Sequence, residues 1–369
     1  MFCPGKTILL SLALCFFSGA VAQTTVKRPL RNLSVGGHYA YGSFLTSEPK
    51  AAYLRDSYSS FGELYFQVQT DGSKAWQVAN GLPQWGVGIQ YGNLGSKEHI
   101  GKLVAAYPFL NMPLFAYKAL ESKLRIGAGA GWVEKPYHPE TNHKNVLVGS
   151  HLNAYLHLLW QNEVKLAPRL FAAAGVGFSH LSNGGSSLPN LGINTPTLQA
   201  GLRYAFDESF EESSAPRNSF SRRPFYRLGL SVAGKQYPWI GGERYLVTIL
   251  NAEIMKRTSY RHQFGAGVVL FHNPSLEHDP SGLLSVKREG NQLQAGAYAA
   301  YERLFGKLSL PVQLGAYLHN RDRFPVLYQQ IGLRYQLTPR WSASALLKTH
   351  LGKADYINAG IGYTFNSAP

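Results

Sequence analysis

The sequence predicts an all-β fold, an antiparallel transmembrane β-barrel of the outer membrane. Three observations support this fold class: an N-terminus that resembles an export signal, an alternation of apolar and polar residues along most of the chain, and the lack of an apolar run of about 20 residues, the length of a membrane-spanning helix. The composition agrees, with 38 Gly, 22 Tyr and 19 Phe in 369 residues and only 15% charged residues. The mean hydropathy of −0.16 is low because only alternate residues of a barrel strand face lipid.

The N-terminus combines Lys6, an apolar run from Ile8 to Phe17 and a small-residue stretch that ends at Gln23. This order is typical of a secretory signal peptide, which we predict over residues 1–22. Both cysteines, Cys3 and Cys15, lie within it. The mature chain is therefore expected to hold no disulfide and no thiolate metal site, and the sequence implies no metal and no cofactor.

The formal net charge of +15 raises the question of nucleic acid as a partner. A nucleic-acid surface needs clustered Lys and Arg with interleaved aromatic residues, and no such stripe is present. Anionic lipid, whose head groups carry phosphate, is the partner that the charge favours. With the signal peptide and the strand pattern, this predicts the outer membrane of a Gram-negative bacterium as the location.

The period-two alternation runs from about Val35 to the C-terminus in segments of about ten residues, the length of a tilted transmembrane strand. An acidic, polar stretch at residues 207–223 interrupts it and is predicted to be a linker or loop. It separates a first half, residues 23–206, from a second half, residues 224–369. About eight strand candidates fall in each half. They lie near residues 35, 63, 84, 99, 122, 146, 166 and 196, and near 224, 245, 261, 292, 309, 326, 340 and 356.

The two halves end in similar segments, Arg169–Phe206 and Arg340–Phe365, which makes an internal duplication of an eight-strand unit plausible. Sixteen strands are compatible with one large barrel or with two small ones in tandem, and a smaller strand number is a further alternative. We favour one ring, because added hairpins enlarge a closed sheet without exposing an edge.

One strand end departs from the ordinary barrel pattern. In the segment before it, Val176 and Phe178 share the bulky face that should meet lipid, whereas Ser179 belongs to the opposite, lumenal face. His180 and Ser182 continue the bulky face and project side by side, so the imidazole is placed to activate the hydroxyl as a nucleophile. Asn194 has the same parity on the next strand, where it can orient the imidazole if no bulge intervenes.

This segment resembles the signature of the outer-membrane lipid A deacylases, the PagL-like acyloxyacyl hydrolases, in which a His-x-Ser-Asn strand end is followed by Asn-x-Gly and then an acidic residue. The resemblance implies His180 as base, Ser182 as nucleophile, Asn190 as oxyanion donor, and Asn183 and Gly192 as positioning residues. The sequence departs from the signature at Asn194, where the family has Glu. Because Asn is neutral, it orients an imidazole without stabilising its positive charge.

The resemblance implies a serine esterase that removes fatty-acyl chains from lipid A, with lipid A or lipopolysaccharide as the substrate and the outer membrane as its setting. The alternative is a porin or a structural barrel, in which the polar strand end only meets lipid head groups. The width of the barrel would distinguish a porin from an esterase, because a sixteen-strand ring holds a water channel and an eight-strand ring is filled by side chains. In the second half, His350 lacks the following Ser and shares the parity of Lys348, so we predict a lumenal, non-catalytic histidine there.

Overall fold

The computed structural model describes residues 32–366, except 46–48, 209–212, 214–219, 238, 278–291 and 321–324. The predicted signal peptide, residues 1–22, and most of the predicted linker at 207–223 lie outside the described residues. No helix in the described part of the chain is long and apolar enough to cross a membrane.

Sixteen β-strands make up nearly all of the regular structure, as the alternation predicts. The first eight are β1 (Leu33–Gly42), β2 (Ser59–Gln69), β3 (Gln84–Asn93), β4 (Lys102–Tyr117), β5 (Leu120–Val133), β6 (Leu152–Ala167), β7 (Leu170–Ser182) and β8 (Ile193–Ala205). The second eight are β9 (Phe225–Gln236), β10 (Arg244–Arg257), β11 (His262–His272), β12 (Leu293–Phe305), β13 (Leu308–His319), β14 (Leu327–Gln336), β15 (Trp341–His350) and β16 (Lys353–Phe365). A short helix α1 (Ala75–Ala79) and two 3₁₀ turns, Pro49–Leu54 and Pro274–Glu277, lie between strands.

The strands form two closed antiparallel barrels of eight strands each, β1–β8 and β9–β16. The first barrel closes by pairing β1 with β8, from Ser34↔Ala205 to Gly42↔Thr197, and the second closes by pairing β16 with β9. The all-β antiparallel fold and the total of sixteen strands are confirmed. The preference for a single ring is wrong, and two barrels in tandem, the alternative, is what the chain forms. The first and last strands of each half pair with each other, so neither half needs the other in order to close its sheet.

The split between lipid-facing and lumenal residues follows the alternation. On β7, Val176 and Phe178 are 53% and 40% exposed, whereas Ser179 is 5% exposed. On β16, Ile361 is exposed and Asn358 is buried. A barrel surface that is apolar outside and polar inside is the pattern of a membrane-spanning barrel.

Charged side chains in the first barrel's lumen are paired. Glu63 accepts hydrogen bonds from Arg125 Nη1 and Tyr107 OH, each at 2.7 Å, and lies 3.0 Å from His38 Nδ1. In the second barrel, Arg227 Nη1 lies 2.6 Å from Glu253 Oε1. Pairing offsets the large cost of removing a charge from water. Packed, ion-paired lumens are expected of eight-strand rings and give no support to the porin alternative.

The two barrels contact each other at both ends. At the end that carries the β7–β8 loop, Gln236 N donates to Gly185 O at 2.9 Å. At the opposite end, Asn80, which caps α1, donates to Leu304 O at 3.2 Å and accepts from Arg303 Nη2 at 2.7 Å. These contacts belong to one compact unit, Asn32–Pro369.

Candidate active site

The candidate site begins where β7 and β8 end together. Their antiparallel pairing continues without a register shift up to His180↔Asn194 and Leu181↔Ile193. Directly opposed residues share a face, so His180 and Asn194 both project on the lipid-facing side. His180 Nδ1 and Asn194 Oδ1 are 2.7 Å apart. With the amide oxygen as acceptor, Nδ1 carries the proton and Nε2 is left as the basic nitrogen.

Ser182 is the last residue of β7 and is 7% exposed. Its Oγ lies 3.2 Å from Asn190 Oδ1, to which the hydroxyl donates, and accepts a hydrogen bond from Gly184 N at 3.1 Å. Asn190 Nδ2 also lies 3.0 Å from Oγ. In this arrangement the hydroxyl proton points at Asn190, so a turn of the Ser182 side chain is needed before His180 can take it. Catalytic hydrogen bonds often tighten only when substrate is bound.

The loop of residues 183–192, hereafter the site loop, connects β7 to β8 and brings Asn190 back over Ser182. Asn183 holds this loop: its N–H donates to Asn190 Oδ1 at 3.0 Å, and its Nδ2 donates to Ser187 O at 2.8 Å. Asn183 Nδ2 also reaches Ser150 Oγ at 3.0 Å in the neighbouring β5–β6 loop. The side chain of Asn183 therefore fixes the loop, and its backbone helps to orient the Asn190 amide.

Gly192 lies beside the imidazole. Its φ is +79°, in the left-handed region, and a Cβ there would lie 3.0 Å from His180 Cε1. Its N–H donates to Leu147 O at 2.9 Å. A side chain at this position would strain the backbone and press on the base, so glycine is the residue that leaves His180 in place.

The six residues that the sequence singles out lie at the end of β7 and β8 and in the site loop, where the contacts join them in two groups: His180 with Asn194 and Gly192, and Ser182 with Asn183 and Asn190. Sequence reasoning missed the Gly184 amide, which hydrogen-bonds Ser182. The signal was the Gly184–Gly185 pair directly after Ser182-Asn183, because both glycines adopt a positive φ, 63° and 81°.

His157 and His350, like His38, lie in the lumens. His157 Nδ1 is 3.0 Å from Ser179 Oγ, a second His–Ser contact, and both side chains are enclosed in the first barrel. His350 lies 2.9 Å from Tyr317 OH, beside the buried Lys348. Ser179 and His350 face the lumens, as the alternation along their strands predicts. Both side chains therefore face away from the surrounding lipid.

Comparison with known families divides the chain at the same place as its two barrels. Residues 61–203 match the family described as lipid A 3-O-deacylase (PagL), and residues 224–367 match the family described as acyloxyacyl hydrolase, C-terminal domain. No curated protein matches the sequence significantly.

Similar solved structures include the outer membrane enzyme PagL, which is 19% identical, covers 45% of this chain and 97% of its own, and has a TM-score of 0.31. Neisserial surface protein A is 10% identical, covers 47% of this chain and 97% of its own, and has a TM-score of 0.34. Omp33 of Acinetobacter baumannii is 10% identical, with coverages of 91% and 97% and a TM-score of 0.17.

The two family matches together span most of both barrels, and the first contains the His180–Ser182 strand end. The chain belongs to the PagL-like lipid A deacylases, the acyloxyacyl hydrolases, and is an ester-hydrolysing enzyme of the Gram-negative outer membrane.

Proposed function

We propose that the protein is a serine esterase that removes a fatty-acyl chain from lipid A through an acyl-enzyme on Ser182. His180 acts as general base, Asn194 orients it, and Asn190 donates to the oxyanion. The observation that carries the proposal is the 2.7 Å contact of His180 with Asn194, on the lipid-facing side and two residues from Ser182. A nucleophile on the lipid-facing side of a strand end is placed to meet an ester of a membrane lipid. The first barrel matches a family named for the 3-O position, so we propose the 3-O-linked chain as the one removed.

In the first step, Ser182 Oγ attacks the ester carbonyl carbon while its proton passes to His180 Nε2. The imidazolium then returns this proton to the departing sugar alkoxide, and the acyl chain stays on Ser182. Water, deprotonated by His180, attacks the acyl-enzyme and releases the fatty acid. The proton returns to Ser182 Oγ, which restores the starting state.

The developing oxyanion needs donors already in position. Asn190 Nδ2 and Gly184 N lie 3.0 and 3.1 Å from Ser182 Oγ, so both N–H groups point at the atom that attacks the ester. When Ser182 turns toward His180, these donors lose their resting partner and become available to the oxyanion. One such donor typically accounts for about 10²–10³ in kcat.

The expected activity is loss of one acyl chain when the purified protein is mixed with lipid A in detergent micelles. Tandem mass spectrometry should assign the lost mass to the 3-O position, because that position gives the family its name. Lipid A from cells with and without the gene should differ by the same mass. Unchanged lipid A in both experiments would contradict the proposed function.

The Asn194 amide, which orients His180 without carrying a charge, gives a second prediction. Asn194→Ala should lower kcat by less than about a hundredfold, because Asn194 supplies geometry and no charge, whereas a lost charged orienter costs about 10⁴. Asn194→Glu should preserve or raise kcat, since a carboxylate at 2.7 Å would also stabilise imidazolium. Fatty-acid release measured across the two variants tests both statements. A large loss in Asn194→Glu would mean that the amide is needed for another reason.

A further inference from the structure

The site loop, residues 183–192, is held from two directions. From its own barrel, the β5–β6 loop contributes Ser150 Oγ, which accepts from Asn183, and Gly149 O, which accepts from Ser187 Oγ at 2.8 Å. These contacts support the half of the loop that follows Ser182. The other side of the loop faces the second barrel.

On that side, Gln236 at the end of β9 makes two hydrogen bonds to the loop. Its Oε1 accepts from Leu188 N at 2.6 Å, and its backbone N–H donates to Gly185 O at 2.9 Å. Gln236 Nε2 donates to Gly242 O at 2.9 Å in the second barrel's own β9–β10 turn. This bond fixes which end of the amide faces the loop. Gln236 is 8% exposed, so the contact is sheltered.

The second barrel also packs on the residue that hydrogen-bonds the nucleophile. A Cβ on Gly184 would lie 2.5 Å from Ile357 Cγ1 of β16, and one on Gly185 would lie 2.8 Å from Asp355 O. Gly184 is the residue whose N–H donates to Ser182 Oγ. The second barrel therefore reaches Ser182 through one glycine, and it reaches the Leu188–Asn190 segment through Gln236.

We propose that Gln236 is a positioning residue for the active site, and that through it the second barrel sets the place of Gly184 and Asn190 against Ser182. The inference rests on the proposed function and deepens it: the non-catalytic barrel takes part in catalysis by holding the loop that carries the oxyanion donors. Gln236 is a positioning residue and not a catalytic one, because its side chain hydrogen-bonds Leu188 N and Gly242 O and its backbone N–H donates to Gly185 O.

Gln236→Leu keeps the side-chain size and removes the acceptor for Leu188 N. We expect kcat on lipid A to fall between about tenfold and a hundredfold, since a shift of about 1 Å in catalytic geometry costs this much. KM should stay unchanged, because Gln236 is not part of the lipid-facing surface. Gln236→Glu retains an acceptor for Leu188 N and should recover most of the loss.

Asn80→Leu is the matched control. Asn80 is also an amide that is 8% exposed and also joins the two barrels, through Leu304 and Arg303, but at the end far from the site loop. Its replacement should leave kcat unchanged. An equal loss of kcat in Asn80→Leu would show that any loosening of the barrel contact has this effect and would overturn the assignment to Gln236. Unchanged kcat in Gln236→Leu would overturn it as well.

Amide hydrogen exchange separates this inference from the proposed function. In Gln236→Leu, exchange at Leu188 should become faster because its N–H loses its partner, and in Asn80→Leu it should stay as in the wild type. This readout does not depend on turnover, so it remains decisive if the wild-type protein fails to release fatty acid. Unchanged exchange at Leu188 in Gln236→Leu would overturn the positioning role.

Discussion

Ser182→Ala should reduce fatty-acid release from lipid A by on the order of 10⁴-fold or more, because Ser182 Oγ is the atom that forms the proposed acyl-enzyme. The barrel should remain folded. Ser182 stands at the end of β7, and among the described residues its side chain hydrogen-bonds Asn190 and Gly184 of the site loop. Mass spectrometry of lipid A measures the rate, and a serine-directed phosphonate probe should label the wild-type protein and not the variant.

Ser179→Ala is the control for that variant. Ser179 lies on the same strand and also contacts a histidine, His157 at 3.0 Å, but it faces the lumen. Its removal should leave both turnover and probe labelling intact. Wild-type activity in Ser182→Ala would refute the nucleophile assignment, and loss of labelling in Ser179→Ala alone would move the nucleophile to the lumen.

The fold class and the facing of each strand were predictable because they depend on one local rule. Successive side chains of a strand point to opposite faces, so a run such as Val176 to Ser179 fixes which residues meet lipid without knowledge of the partner strand. The same rule places His350 in a lumen. These predictions need only the period-two alternation of side chains along a single strand.

Ring closure was not predictable in this way. The alternation of β8 is the same whether it pairs with β1 or with β9, because alternation specifies faces and not partners. The structure pairs Ser34 with Ala205 and so closes the first ring. Local apolar runs also misled the placement of one strand, expected near residue 146. Leu147 and Val148 are buried in the β5–β6 loop, and β6 begins only at Leu152.

The site was predictable only in part, for the same reason. His180 and Asn194 are opposed through regular pairing of two neighbouring strands, which parity can anticipate. The return of Asn190 to Ser182 depends on the turn geometry of the site loop, which the period of a strand does not specify. The contact of Gln236 with Leu188 joins two separately closed barrels. No local pattern in either barrel encodes it.

His180→Ala should abolish fatty-acid release to nearly the same extent as Ser182→Ala, because nucleophile and base act as a unit and removing either one removes most of the rate. The hydroxyl of Ser182 is a weak nucleophile without a base to take its proton. His180 is half-buried on the lipid-facing side, bonded to Asn194, so the variant should still insert and fold. The double variant with Ser182→Ala should be no slower than either single variant, which initial rates of release from lipid A would establish.

His350→Ala is the matched control, since His350 ends the seventh strand of the second barrel and His180 lies two residues before the end of the seventh strand of the first. His350 bonds Tyr317 OH in the second lumen, and no serine follows it at the spacing of Ser182. Release of fatty acid should therefore stay at the wild-type rate in His350→Ala while it is lost in His180→Ala. A large loss in His350→Ala would mean that the second lumen takes part in the reaction. Equal, undiminished rates in both variants would remove His180 as the base and leave Ser182 without the proton acceptor that the mechanism requires.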